Sequence, residues 1–246
     1  MPFRVEGAGR THAGLVREKN EDALLLAPEF GFWVVCDGMG GHVGGQVASQ
    51  TAVATIYEAL RTGFTSSHNV DPLVGAIEVA NRTVYARAKA DPALHNMGTT
   101  VVAIRQHGDM FHICHVGDSR IYRWRRGELT QVTRDHSLVN LYADNPELAQ
   151  KFGPANANVI VRAVGLREEV EVEHQTAWIQ RDDMYLLCCD GLTDMVDDWI
   201  LREVLADGSM GSLDECAESL IRAALSNGGV DNTTCIVLRA REKTAV

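Results

Sequence analysis

No apolar run in this chain approaches the roughly 20 residues that a membrane-spanning helix requires, and the opening Met-Pro-Phe-Arg-Val-Glu lacks the apolar core of a secretory leader. No C-x-x-C pair occurs among Cys36, Cys114, Cys188, Cys189, Cys216 and Cys235. Zinc-ribbon and dithiol redox chemistry are thereby disfavoured. Four of these cysteines lie in apolar, strand-like runs and read as small buried residues of a reducing compartment. Basic residues are in deficit: the formal net charge is −10, the wrong sign for a nucleic-acid partner. The local exception, Arg123-Trp124-Arg125-Arg126, reads as a solvated hairpin tip ahead of Gly127. Linkers, repeats and low-complexity tracts are absent. With 246 residues, 46% of them hydrophobic, the expectation is one soluble, cytoplasmic, monomeric domain spanning residues 1–246.

What is present is organised around Val34-Val35-Cys36-Asp37-Gly38-Met39-Gly40-Gly41-His42. An apolar strand delivers one carboxylate to its tip, and the chain then turns through glycines. Helices are expected over residues 46–61, with Gly63 as stop, and from Asp71-Pro72 towards Ala90, where Asp71 serves as N-cap and proline opens the first turn. Short β-branched and aromatic runs follow at Thr99–Ile104, Met110–Val116 and Ile121–Trp124, broken by glycine turns. Further strands are expected at Val159–Val164, Val170–His174, Met184–Cys189 and Asn232–Leu238, and further helices at Leu192–Leu205 and Leu213–Leu225. A helix over Leu138–Lys151 is interrupted at Asn145-Pro146, and residues 138–158 form the expected flap. Strands in meanders and helices in pairs predict an α+β fold.

Aspartates recur at strand ends. Asp37, Asp118 and Asp190 each follow an apolar run, and Asp231 precedes one. Antiparallel neighbours place the end of one strand beside the start of the next, so these carboxylates can meet at one edge of a core. Gathered carboxylates repel unless cations lie between them, and oxygen donors favour magnesium or manganese over zinc or copper. Any single Asp-Gly is ordinary turn chemistry; four such aspartates beside strands are not. Nucleotide-loop readings fail by residue. G-x-G-x-x-G from Gly38 meets Val43, and G-x-x-x-x-G-K-[ST] from Gly40 meets Gln46-Val47.

Eight segments in order then resemble the metal-dependent Ser/Thr protein phosphatases of type 2C, in their compact bacterial form. They are Arg17–Ala23, Val35–His42, Gly98-Thr99-Thr100, Val116–Arg120, Asp135–Val139, Asn158–Gly165, Cys189–Leu192 and Asp231–Thr234. The resemblance implies a four-layer α-β-β-α sandwich of two antiparallel sheets flanked by helices, and hydrolysis of phosphoserine or phosphothreonine in proteins by a metal-activated water. It implies Asp37 bridging two manganese or magnesium ions, with the Gly38 carbonyl on one of them. Asp190 and Asp231 complete the first ion's ligands. Asp22 supports the second, with Glu21 beside it, and Asp118 with Asp190 holds a third. Arg17 takes the substrate phosphate through its planar fork. His42 stands between two roles, protonating the leaving oxygen or holding its loop. His112, His115 and His136 read as structural. The resemblance further implies phosphoprotein partners, a Ser/Thr kinase of the eukaryotic-like kind among them, and no membrane or nucleic acid.

Two departures leave substrate preference open. Ala155-Asn156-Ala157 stands where many bacterial members carry His-Pro, and the flap reads Tyr142-Ala143-Asp144-Asn145-Pro146. Two other readings compete with a protein phosphatase: a catalytically silent phosphoprotein-binding fold, which the filled ligand positions disfavour, and an enzyme for small phosphomonoesters.

Overall fold

The computed structural model describes residues 3–40, 43–63, 71–152 and 159–242. Its strands are β1 (Phe3–His12), β2 (Ala23–Ala27), β3 (Phe32–Cys36), β4 (Gly38–Met39), β5 (Gly98–Thr99), β6 (Val101–His107), β7 (Met110–Val116), β8 (Arg120–Arg125), β9 (Glu128–Gln131), β10 (Glu173–Trp178), β11 (Met184–Cys188) and β12 (Thr233–Glu242). Its helices are α1 (Gly44–Arg61), α2 (Pro72–Ala90), α3 (Leu138–Asp144), α4 (Pro146–Phe152), α5 (Asp190–Thr193), α6 (Asp198–Met210) and α7 (Leu213–Ser226). One sheet runs β1-β12-β11-β8-β9 and the other β10-β7-β6-β3-β2, each antiparallel throughout.

Alternation along the strands creates three apolar layers. In β3, Trp33 and Val35 point between the sheets, whereas Phe32, Val34 and Cys36 point to α1 and α2. In β12, Ile236 and Leu238 face inward and Cys235 and Val237 meet α6 and α7. The central layer holds Trp33, Phe111 and Tyr185, with Phe111 edge-on to Tyr185 at 5.0 Å between ring centroids. This is the α-β-β-α sandwich of the sequence expectation. All six cysteines are buried and free, as small apolar residues should be.

Local signals account for most boundaries. The Leu73 amide donates to Asp71 Oδ1 (2.9 Å), so α2 starts one residue after its cap. Gly63, at φ 73°, ends α1. Arg126 and Gly127, both at positive φ, close the β8–β9 hairpin. Asn145 separates α3 from α4, which Pro146 opens.

Three expectations change. Val159–Val164 is not a strand: it makes one backbone bond each with Leu138 and His136 and a two-bond bridge with Thr99, because it crosses from the flap to β5 without a neighbour of matching length. The strand expected at Val170–His174 lies further on, at Glu173–Trp178, where pairing with β7 begins. The helix expected over Leu192–Leu205 divides into α5 and α6. The structure also adds β1, whose ten residues pair with β12 along their whole length, and β9.

Candidate metal and phosphate site

The sheet registers bring the acidic strand ends together. Ala23 pairs with Cys36, Val101 with Val116, and Cys188 with both Cys235 and Arg120. Asp22, Asp37, Asp118 and Asp190 each lie within two residues of one of those strand ends, and Asp231 lies two before Thr233, the first residue of β12, so the ladders place all five at one end of the sandwich. A cleft of about 610 Å³ opens there, lined by Arg17, Glu21, Asp37, Gly38, Asp190 and Asp231 among others.

Asp37 is fixed through its backbone. Its carbonyl accepts from the Thr100 amide (2.8 Å) and from Thr99 Oγ1 (2.8 Å), and its own amide donates to Thr100 Oγ1 (3.0 Å). Thr100 Oγ1 in turn shares a hydrogen bond with Ser119 Oγ (2.7 Å), next to Asp118. Gly38 pairs with Thr99. A Cβ at Gly38 would collide with the carbonyls of Gly45 and Glu21, and one at Gly45 would lie 2.7 Å from the Gly38 carbonyl oxygen. Two glycines thus let the start of α1 close on Gly38.

The polar loop after β1 is stapled by Asn232. Its side-chain amide donates to the carbonyls of Ala13 (2.9 Å) and Lys19 (2.8 Å), and its Oδ1 accepts from the Glu21 amide (2.8 Å). Arg17 then reaches over the cleft, its Nη2 2.6 Å from Asp231 Oδ2. Asp22 and Glu21 diverge. Glu21 lines the cleft beside Gly45. Asp22 is buried, accepts from Thr234 Oγ1 (2.5 Å), and leaves Oδ1 without a hydrogen-bond partner among the described residues. Asp22, Asp37 and Cys189 each bring a ligand atom within 4.8 Å of the others.

Electrostatics sets this end of the molecule apart. Burial, followed by the charges of Asp22 and Asp190, drives the Asp37 carboxyl well above the usual range. Burial and Asp190 push Asp118 up to about 7. Burial raises Asp22 too, against the opposing hydrogen bond of Thr234. Such a cluster is unfavourable while its carboxylates are charged, and the donor set is hard oxygen, so its residues fit divalent magnesium or manganese. Cys189 fits a metal poorly. Burial keeps its thiol protonated, and its Sγ is engaged by the Asn232 carbonyl and the Thr234 amide.

A second group, His115, His136 and Glu173, also converges. His136 Nδ1 accepts from the Gly117 amide (3.0 Å), which places the proton on Nε2, facing Glu173 Oε2 at 3.1 Å. With the Arg162 guanidinium 3.2 Å from that nitrogen, the group is a brace for Gly117-Asp118, not a cation site. The structural reading of His136 and His115 therefore stands. Sequence reasoning gave Asn232, Thr234 and Thr100 no individual roles. Their hydroxyls and amide act on backbone and carboxylates distant in the chain, and only the folded registers reveal that. His42 lies outside the described residues.

The family model "Protein phosphatase 2C" matches residues 7–226. The serine/threonine protein phosphatase PstP of Mycobacterium tuberculosis is 35% identical over 232 residues, 94% of this chain but 44% of that protein. This chain thus spans less than half the length of that relative. The serine/threonine phosphatase stp of Listeria welshimeri is 34% identical over 237 residues, 93% of each chain. The solved catalytic domain of PstP in complex with two manganese ions superposes with a TM-score of 0.84 at 34% identity, covering 98% of this chain and 100% of that one. With a family model matching most of its length and relatives this similar, the chain belongs to the protein phosphatase 2C family.

Proposed function

We propose that this chain is a divalent-metal-dependent protein-serine/threonine phosphatase. The observation that carries the reading is the convergence, in one cleft, of Asp37, Asp190 and Asp231 with the Gly38 carbonyl and the Arg17 guanidinium. Asp37, Gly38, Asp190 and Asp231 would hold two ions, with Asp22 and Glu21 in support, and Asp118 with Asp190 would hold a third. Manganese or magnesium suits these oxygen donors; when bound, such ions neutralise the carboxylates and acidify a coordinated water.

The chain's own residues bind and orient. Arg17 exchanges Asp231 for two phosphate oxygens of the substrate, which matches its fork. Thr99 and Thr100 hold the Asp37 backbone still, and Asn232 keeps the Arg17 loop in place. In the reaction a water oxygen bonds to phosphorus, the bond from phosphorus to the seryl or threonyl oxygen breaks, and that oxygen takes a proton. His42 is the proposed donor of that proton. No phosphoenzyme forms.

The cleft is open to solvent and includes Ile160, adjoining the flap of residues 138–158, which favours a polypeptide substrate over a small phosphomonoester. Phosphoproteins, a Ser/Thr kinase among them, are the proposed substrates of an intracellular monomer. Comparing turnover of a phosphothreonine peptide with that of small phosphate esters tests the reading. Preference for the peptide supports it, and tight peptide binding without turnover in excess manganese would favour a silent binding fold.

A further inference from the structure

The hairpin Arg123-Trp124-Arg125-Arg126 lies outside the cleft, and its arginines are arranged as a site. Along β8, Tyr122 and Trp124 pack towards α6 while Ile121 points between the sheets, so Arg123 and Arg125 share the inner face of their sheet. The register sets Thr130 opposite Arg123 and Glu128 opposite Arg125. With Arg126 these residues line a depression of about 320 Å³.

Arg125 is neutralised by Asp183, at 2.6 Å from both Nε and Nη2, and also donates to the Trp178 carbonyl. It therefore anchors the depression. Arg123 and Arg126 have no ion-pair partner among the described residues, and Arg123 Nε is buried without an acceptor. Glu128, the one carboxylate in the lining, pairs with neither. The turn itself is strained: Arg126 takes φ 52° ahead of Gly127 at 85°, a two-residue turn that ordinarily uses Asn, Asp or Gly first. An arginine held in that conformation is a local cost that no ion pair among the described residues offsets.

We propose that this face of the β8–β9 hairpin docks an acidic or phosphorylated segment of the protein substrate, at a distance from the phosphate being removed. The inference deepens the phosphatase reading and rests on it. Two unpaired guanidinium forks match carboxylate or phosphate oxygens. The exposed Trp178 beside them offers an apolar contact, and β9 is a sheet edge with backbone free to pair with an extended segment. A net charge of −10 opposes long polyanions such as RNA or an anionic bilayer, which leaves a short acidic peptide. From Arg120, beside the cleft, to Arg125 the strand runs about 17 Å, so the docked segment and the phosphosite are separate parts of one substrate.

The test uses a fluorescein-labelled peptide carrying a phosphothreonine and a distant acidic stretch. In EDTA the cleft is acidic and repels phosphate, so anisotropy reports the hairpin alone, whether or not the protein turns the peptide over. The account expects binding that the Arg123→Glu/Arg126→Glu variant weakens about tenfold or more, the size of one lost charge-assisted hydrogen-bonded pair. With manganese it expects the same rise in KM for that peptide, with kcat and the rate on 4-nitrophenyl phosphate unchanged, which also confirms that the variant is folded. Arg126→Ala should give a smaller shift in the same direction. Equal affinity of wild type and variant would overturn the docking site, as would loss only of RNA or anionic-vesicle binding. Failure of the wild type to hydrolyse any phosphate ester would instead sink the phosphatase reading and leave the EDTA result standing.

Discussion

Arg17 and Asp231, 214 positions apart in the chain, meet across the cleft at 2.6 Å. Both side chains are well exposed, at 56% and 36%, so the pair contributes little to stability. Its meaning is positional: it holds a guanidinium fork over a group of carboxylates, where a phosphate can replace Asp231 as its partner. Arg17→Ala should lower kcat/KM for a phosphothreonine peptide about 10²-fold, roughly 2.7 kcal/mol of lost charge-assisted bonding. Arg17→Lys, which keeps the charge and loses the fork, should fall between. Steady-state kinetics in saturating manganese reads both, and a melting temperature unchanged within a degree separates them from folding defects.

Asp37 is expected to harm stability where it helps chemistry. Its carboxyl is half-buried at the base of the cleft, close to the charges of Asp22, Asp190 and Asp118. Asp37→Asn should abolish turnover yet stabilise the metal-free protein by about 1 kcal/mol, roughly 2–4 °C for a domain of this size. Thermal melts in EDTA and in manganese check this. The variant should melt higher than wild type in EDTA and gain less from the ion.

The sign of the pH dependence follows from Asp118. Its folded-state pKa is raised to about 7 from the ordinary 3.8 by burial and by Asp190. The folded metal-free protein therefore keeps a proton that the unfolded chain has released. This contribution to stability is full below about pH 4 and is lost as pH rises towards 7. The difference in unfolding free energy between wild type and Asp118→Asn, measured in EDTA by urea titration at several pH values, should shift against the wild type across that window. Manganese affinity of the wild type should rise over the same range, because ions and protons compete for the carboxylates.

Asn232 makes three hydrogen bonds to the loop that carries Arg17 and Glu21. Asn232→Ala leaves a donor and two acceptors unpaired and should cost about 2–3 kcal/mol. Urea denaturation reads the loss. Because the loop positions Arg17, KM for the phosphopeptide should rise as well.

Much of this was legible in the sequence because the signals are local. Asp71-Pro72 marks the start of α2, Asn145-Pro146 the break between α3 and α4, and each apolar run before an Asp a strand that ends at the cleft. Whatever depends on a distant partner was not. β1 hides its alternation behind Gly7 and Gly9, where the strand passes close over the side chains of Trp33, Leu238 and Leu26. Val159–Val164 has a strand's composition but meets its neighbours only at isolated bridges, Ile160 with Ser137 and Val164 with Thr99. The sequence suggests the acidic cluster. It does not distinguish the half-buried, cleft-lining Glu21 from the buried Asp22, since adjacent residues differ only in the direction that the Asn232 staple and α1 impose.

The most direct test is phosphate release from a phosphothreonine peptide by the purified chain, measured before and after EDTA and again after manganese is added back. The account predicts turnover that EDTA abolishes and manganese restores, with Asp37→Ala and Asp231→Ala inactive under every condition. Hydrolysis that persists without metal, or full turnover by either variant, would contradict it.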